Sequence, residues 1–239
     1  MPNRIAVCFS GQPRTWRKAI ETWSFLHDGV DVFCHIWNFN TISARIGNHE
    51  AEMLTDKELN DLIDALQPVA YLIESRKPME VINHSQALRS DAHLSQLYGI
   101  MMSGALKRQH EIENNFIYDT VIRCRYDISI PVDVQDALPS IRKGIFHGVG
   151  LRIENNSHTM LISDYFWASD STTYDLVSSI WLDLPEIEPH WFAEIKDISP
   201  EHILYHHLKK NSIEAVDMGW DIRILRRSEG EASNSTDLW

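Results

Sequence analysis

Hydrophobic positions along the chain switch repeatedly between a short continuous run and a helical repeat. Ile5 to Phe9 is a short apolar run broken by Ser10-Gly11-Gln12-Pro13-Arg14, and Trp16, Ile20, Trp23 and Leu26 then recur at helical spacing. This pattern predicts a strand, a turn and a helix over Thr15 to Leu26. Val30 to Trp37 is a second strand whose only charge is Asp31, with His35 as a hydrogen-bonded core histidine. The polar stretch 38–50 reads as a surface loop. Thr55-Asp56-Lys57-Glu58 has the form of a capping box, so a helix runs from there to about Leu66 and stops at Pro68. Val69 to Ile73 is a third strand, followed by a polar loop with Pro78 and Asn83.

The longest helical repeat runs from Ser95 to Phe116, carried by Leu97, Ile100, Met101, Ala105, Leu106 and Ile112. Its far end (Lys107, Arg108, His110, Glu111, Glu113) is charged on most sides and reads as a solvated face. Beyond it come a strand over Tyr118 to Ile128, a turn and short helix over Pro131 to Leu138, and a strand edge at Gly144 to His147. Met160 to Ala168 is strand-like, Ser169-Asp170-Ser171 caps a helix reaching Leu182, and Glu186 to Asp197 is a loop or short helix. Ser199-Pro200-Glu201 starts a helix that ends at Asn211, since serine caps, proline suits the first turn and the acid suits the dipole. Ile213 to Val216 and Ile222 to Leu225 are late strands. The alternation describes one α/β domain over 1–227, with 228–239 as a small, polar, acidic and frayed tail.

Composition narrows the function classes. Apolar residues make up 44% of the 239-residue chain, enough for one substantial core. The formal net charge of −12 repels a polyanion and argues against duplex nucleic acid as a partner. Cys8, Cys34 and Cys124 each sit in a strand-like run, as buried free thiols of a reducing compartment do. No apolar run approaches the roughly 20 residues of a membrane span, and the first residues lack an apolar signal region, so a cytoplasmic location is expected.

The candidate chemistry centres on Tyr118-Asp119-Thr120-Val121-Ile122-Arg123-Cys124-Arg125-Tyr126-Asp127-Ile128. Alternation along a strand puts Arg123, Arg125 and Asp127 on one side and Ile122 and Cys124 on the other. In an open α/β sheet the carboxyl ends of the strands form the ligand crevice. Two guanidiniums and a carboxylate there suit a phosphate-bearing ligand with a divalent cation, although an internal ion pair at a strand end fits the same residues. Ser10-Gly11 after the first strand allows close approach of an anion to a helix start. His202 and His206, one turn apart on a helix, have a metal-pair spacing, but surface or packing roles are favoured because no acid completes a motif. Trp167 and Trp191 are candidates to stack on a sugar, with core packing as the default. Asp217 and Asp221 flank Gly219-Trp220 and could face the site from the final strands.

Four stretches in this order carry a resemblance. They are the strand–Ser-Gly-Gln-Pro-Arg–helix over 5–26, the long helix leading into Arg123-x-Arg125-x-Asp127, Asp164-Tyr165-Phe166-Trp167-Ala168-Ser169 before a helix, and Pro200-Glu201-x-x-Leu204 before the last strands. Together they resemble the nucleotide-diphospho-sugar transferases of GT-A fold, in the variety found in capsule and lipopolysaccharide loci and in some large phages. The resemblance implies a Rossmann-like domain with a mostly parallel mixed sheet flanked by helices. It also implies transfer of a sugar from a nucleotide-diphosphate donor to a glycan or small-molecule acceptor.

In that family an Asp-x-Asp holds the pyrophosphate through Mn²⁺ or Mg²⁺. Asp127 matches the second acid as metal ligand, while Arg125 stands where the first would be. The site then uses one metal carboxylate plus Arg125, or no metal at all. Ser10, Gly11, Gln12 and Arg14, with Arg123 and Arg125, are the implied nucleotide-sugar-binding residues. Asp164 is implied as the base for the acceptor hydroxyl, with Glu201 as the second candidate. The alternatives are a sugar-phosphate nucleotidyltransferase, against which the first loop lacks a lysine-bearing glycine-rich signature, and a non-catalytic nucleotide-sugar-binding protein with a degenerate site. Oligomeric state is not legible in the sequence.

Overall fold

The computed structural model describes residues 3–26, 29–41, 51–75, 91–130, 138–153, 160–184 and 199–225. Strands β1 (Ile5–Gly11), β2 (Val30–Trp37), β3 (Ala70–Glu74), β4 (Thr120–Cys124), β5 (Ile145–Gly148), β6 (Phe166–Ser169) and β7 (Glu214–Asp217) form one sheet. Their order across it is β7-β5-β6-β4-β1-β2-β3. Every neighbouring pair is parallel except the two that β6 makes, with β4 and β5. The architecture is therefore the expected α/β one, a mostly parallel mixed sheet between helices.

Helices α1 (Asp56–Leu66), α2 (Asp91–Asn114), α3 (Ser171–Ser178) and α4 (Pro200–Lys210) cover the sheet. On one face Leu97 and Ile100 of α2, Val177 of α3 and Ile203 and Leu204 of α4 pack on Ala6, Cys8, Val121 and Trp167. On the other, Leu62 and Leu66 of α1 join Trp16, Trp23 and Phe25 against Val7, Phe9, Cys34 and Ile122. These central strands are buried on both faces, which is why they read as continuous apolar runs. The three cysteines are free and buried. Burial pushes the Cys8 and Cys34 thiols up to about 12, so neither is a nucleophile near neutral pH.

Local signals hold where they are self-contained. Thr55 and Glu58 close the capping box reciprocally, with the Glu58 amide donating to Thr55 Oγ1 at 3.2 Å and the Thr55 amide to Glu58 Oε2 at 2.9 Å. His35 is a core histidine whose Nε2 lies 3.0 Å from Glu74 Oε2. His207 is buried between Leu176 O at 2.8 Å and Asp183 Oδ2 at 2.9 Å, and His202 Nδ1 caps Ser199, so both serve packing. Trp167 is fully buried and packs against the Phe146 and Tyr174 rings, the core role, whereas Trp191 lies outside the described residues. Asp217 anchors turns through the Leu151 and Gly219 amides, and Asp221 pairs with Arg223.

Four expectations about the elements need correction. The helix after β1 is only a turn, Trp16–Ala19, followed by a 3₁₀ turn. Trp23 is held instead by its Nε1 donating to Ile128 O at 2.9 Å and by ring contact with Phe9. The central strand ends at Cys124, because the chain leaves the sheet at Arg125 and Ile128–Ser129 pairs with Arg223–Ile224. Met160 to Ala168 is two strands, and the break between them sets Asp164 in a turn. Phe39–Thr41 and Ala51–Met53 pair antiparallel, so the expected loop begins and ends in a hairpin.

The far end of α2 is solvated on one side only: Arg108 and Glu113 are exposed, but the Lys107–Glu111 side is not. Lys107 and Glu111 are buried, with Lys107 Nζ at 3.0 Å from Glu111 Oε2, 2.5 Å from Ser171 Oγ and 2.6 Å from Asp175 Oδ1. Glu111 also accepts from the Tyr118 amide at 2.8 Å. The segments 131–137, 185–198 and 228–239, with their expected turn, loop and tail, lie outside the described residues.

Candidate active site

The carboxyl ends of β1 and β4 meet the start of β6, the first turn of α4 and the N-terminal half of α2. Antiparallel pairing of Phe166 with Cys124 brings the turn before β6 to this edge, and the Arg125 amide donates to Tyr165 O at 3.1 Å. Asp164 in that turn is 4% exposed and receives a hydrogen bond from Gln96 Nε2 of α2. Glu201, Arg125 and Arg123 are its charged neighbours. Burial, and then the Glu201 carboxylate, push the Asp164 carboxyl up to about 7 against the pull of Arg125 and Arg123.

Arg125 and Asp127 face each other. Arg125 Nε donates to Asp127 Oδ1 at 2.8 Å and a terminal nitrogen donates to Oδ2 at 2.6 Å, a two-pronged ion pair. The Arg125 side chain keeps 19% exposure and that of Asp127 only 3%. Burial works against the Arg125 charge, but Asp127, Asp164 and Glu201 outweigh it and hold its pKa above the ordinary guanidinium value.

Arg123 is fully buried and donates to the Cys124 and Ser10 carbonyls, the latter at 3.2 Å. Ser10 is buried with it. Both side chains lie beneath the exposed edge, with Arg123 close enough to act electrostatically on Asp164. Gly11 ends β1 at φ +127°, a backbone that favours glycine. Gln12 Oε1 accepts from Arg14 Nε at 2.9 Å, so these two loop residues hold each other.

Asp127, the implied cation ligand, is engaged in an ion pair. Both carboxylate oxygens of Asp127 already serve a guanidinium, and no group of three His, Cys, Asp or Glu side chains is set to hold a metal among the described residues. What the arrangement offers is a buried carboxyl titrating near neutrality beside a half-open guanidinium, a pairing suited to proton abstraction next to developing negative charge. Gln96 is not a candidate in the sequence, because a glutamine 68 residues before its partner leaves no local signature.

The raised carboxyl has a stability consequence with an unusual sign. Below about pH 4 Asp164 is neutral whether folded or unfolded. As pH rises from there to about 7, the unfolded chain releases the proton that the folded chain keeps, so this group destabilises the fold increasingly, on the order of 4 kcal/mol in full. Asp164→Asn should therefore raise the melting temperature at pH 8, with a smaller gain at pH 5. Thermal melts at both values test this, and an equal effect at the two would place the carboxyl in an ordinary environment.

No helix among the described residues is long and apolar enough to cross a membrane. No protein-family model matches the chain. No curated protein matches it in sequence. Among solved structures the chain is similar to two of the glycosyltransferase GlyE of Streptococcus pneumoniae TIGR4, one of them the apo form. The apo form is 11% identical with a TM-score of 0.45, and the other is 10% identical with a TM-score of 0.46. Each likeness covers 90% of this chain and 45% of the GlyE chain, so the chain spans less than half the length of the proteins it resembles.

Proposed function

We infer that the chain transfers a sugar from a nucleotide-diphosphate donor to a hydroxyl acceptor, a glycan or a small molecule. The observation that carries this reading is the buried Asp164 carboxyl, raised to about 7 and set beside Glu201 and Arg125 at the carboxyl edge of the sheet. In an inverting transfer the acceptor hydroxyl attacks the anomeric carbon while Asp164 takes its proton. The bond to the nucleoside diphosphate breaks, and the departing oxygen gains charge that the partly exposed Arg125 guanidinium stabilises. A base whose pKa lies near the working pH combines a useful fraction of free carboxylate with adequate basicity. Arg123 supplies positive field from below without touching the ligand. No step is assigned to a metal ion.

The closed Arg125–Asp127 pair favours a second reading, a non-catalytic binding protein in which this edge no longer turns over donor. Both readings are tested by thermal shift against UDP-, GDP-, CMP- and dTDP-sugars, followed by assay of nucleotide release. A donor that stabilises the fold in proportion to its concentration over Kd, and is slowly hydrolysed, is the expected result. Binding without hydrolysis supports the second reading, and no shift with any donor removes both. Each measurement is made in EDTA and in manganese chloride. A shift confined to manganese would make Asp127 a cation ligand and displace its ion pair with Arg125.

A further inference from the structure

We propose that Gln96 is the positioning residue for Asp164, holding its carboxyl group through the side-chain amide in both protonation states. The proposal rests on the sugar-transfer reading for its purpose, but its geometry stands alone. Gln96 Nε2 donates to Asp164 Oδ2, so the amide satisfies a carboxylate buried to 4% exposure. The same amide, turned over, offers Oε1 to accept from the carboxylic acid O–H. A glutamine is thus one of few side chains that satisfy this oxygen before and after proton transfer. A lysine would favour only the anion, and a second acid only the protonated form.

Three features of α2 fix where that amide arrives. A Cβ at Gly99 would stand 3.0 Å from His35 Nδ1 and 3.3 Å from Ser10 Oγ, so the bare glycine lets the helix press onto β1 and β2 at their carboxyl ends. One residue earlier, Tyr98 is hydrogen-bonded to Glu74 and meets the His35 ring edge-on at 5.6 Å. Leu97 is buried in the core beneath. Gln96 therefore projects from a turn of helix clamped on its neighbours, and a rigid element places a side chain more accurately than a loop does. The groups that face Asp164 with charge are Glu201 from α4 and Arg125 and Arg123 from the end of β4, and Gln96 adds a neutral donor to them.

The test reads the Asp164 carboxyl itself, in the free protein, by infrared or carbon NMR titration assigned through its loss in Asp164→Asn. Gln96→Leu removes the hydrogen bond to both forms, and because the bond to the carboxylate is the stronger the titration midpoint should rise by about half to one pH unit. Gln96→Glu keeps the length and should split the titration into two steps, as two carboxyls share a proton. If a donor is hydrolysed, the alkaline rise of its pH–rate profile should move with the midpoint in Gln96→Leu.

A midpoint unchanged in both folded variants overturns the proposal, whatever the activity. Should Gln96→Leu fail to fold, Gln96→Glu alone decides: split titration supports the assignment and a single unshifted step overturns it. A midpoint that moves in a protein that hydrolyses no donor leaves Gln96 as the partner of Asp164 and removes the sugar-transfer reading instead.

Discussion

Asp164→Asn should lower nucleotide-sugar turnover by roughly 10²- to 10⁴-fold, the usual worth of a positioned general base. Asparagine keeps the size and a hydrogen-bonding partner for Gln96 but cannot take a proton from the acceptor. Binding of the nucleotide should survive, because Asp164 is expected to act on the acceptor side and Arg125 keeps its ion pair with Asp127. The separation matters. A loss of kcat with little change in donor affinity marks a group that works in the transition state, whereas a parallel loss of binding would mark a structural role. Stability at pH 8 should rise in the same variant, so loss of activity through unfolding is excluded within the experiment.

Lys107→Met should cost about 3–5 kcal/mol of stability, the penalty for stripping one partner from a buried ion pair. Lys107 is fully buried and holds Glu111, Ser171 and Asp175 together, tying α2 to α3. Without it Glu111 is left charged beside Asp175. Arg108 reaches both acids only at 3.5 Å from a half-exposed position. For a domain of this size the loss corresponds to a fall in melting temperature of roughly 10 °C. Adding Glu111→Gln removes the uncompensated charge and should recover a large part of the loss. A double-mutant cycle read by urea unfolding checks the coupling, and strict additivity of the two changes would show that they do not interact.

How much of this protein is legible in its sequence depends on the reach of each interaction. The Thr55–Glu58 cap spans three residues and is complete within its own turn, so the residue order alone reveals it. The Arg125–Asp127 pair spans two residues, and its sequence fits either a ligand site or an internal ion pair; the fold closes it as an ion pair. Lys107 and Glu111 look like a solvated helix face for the same local reason. Only the arrival of Ser171, Asp175 and the Tyr118 amide from elsewhere in the chain turns them into a buried network.

Asp164 is legible as an acid of interest, but its neighbours are not. Glu201 and Gln96 reach it through sheet register and helix packing, which no spacing along the chain records. The strand-like stretch Met160 to Ala168 is two strands with Asp164 between them, and that interruption delivers the carboxyl to the sheet edge.

The most direct test is the pH dependence of nucleotide release from whichever nucleotide-sugar stabilises the protein, measured for the wild type and Asp164→Asn from pH 5 to 9. The account predicts a wild-type rate that rises with a single ionisation near pH 7, and a variant that is slow and flat across the range. A rate insensitive to pH in the wild type, or unchanged by the substitution, would contradict it.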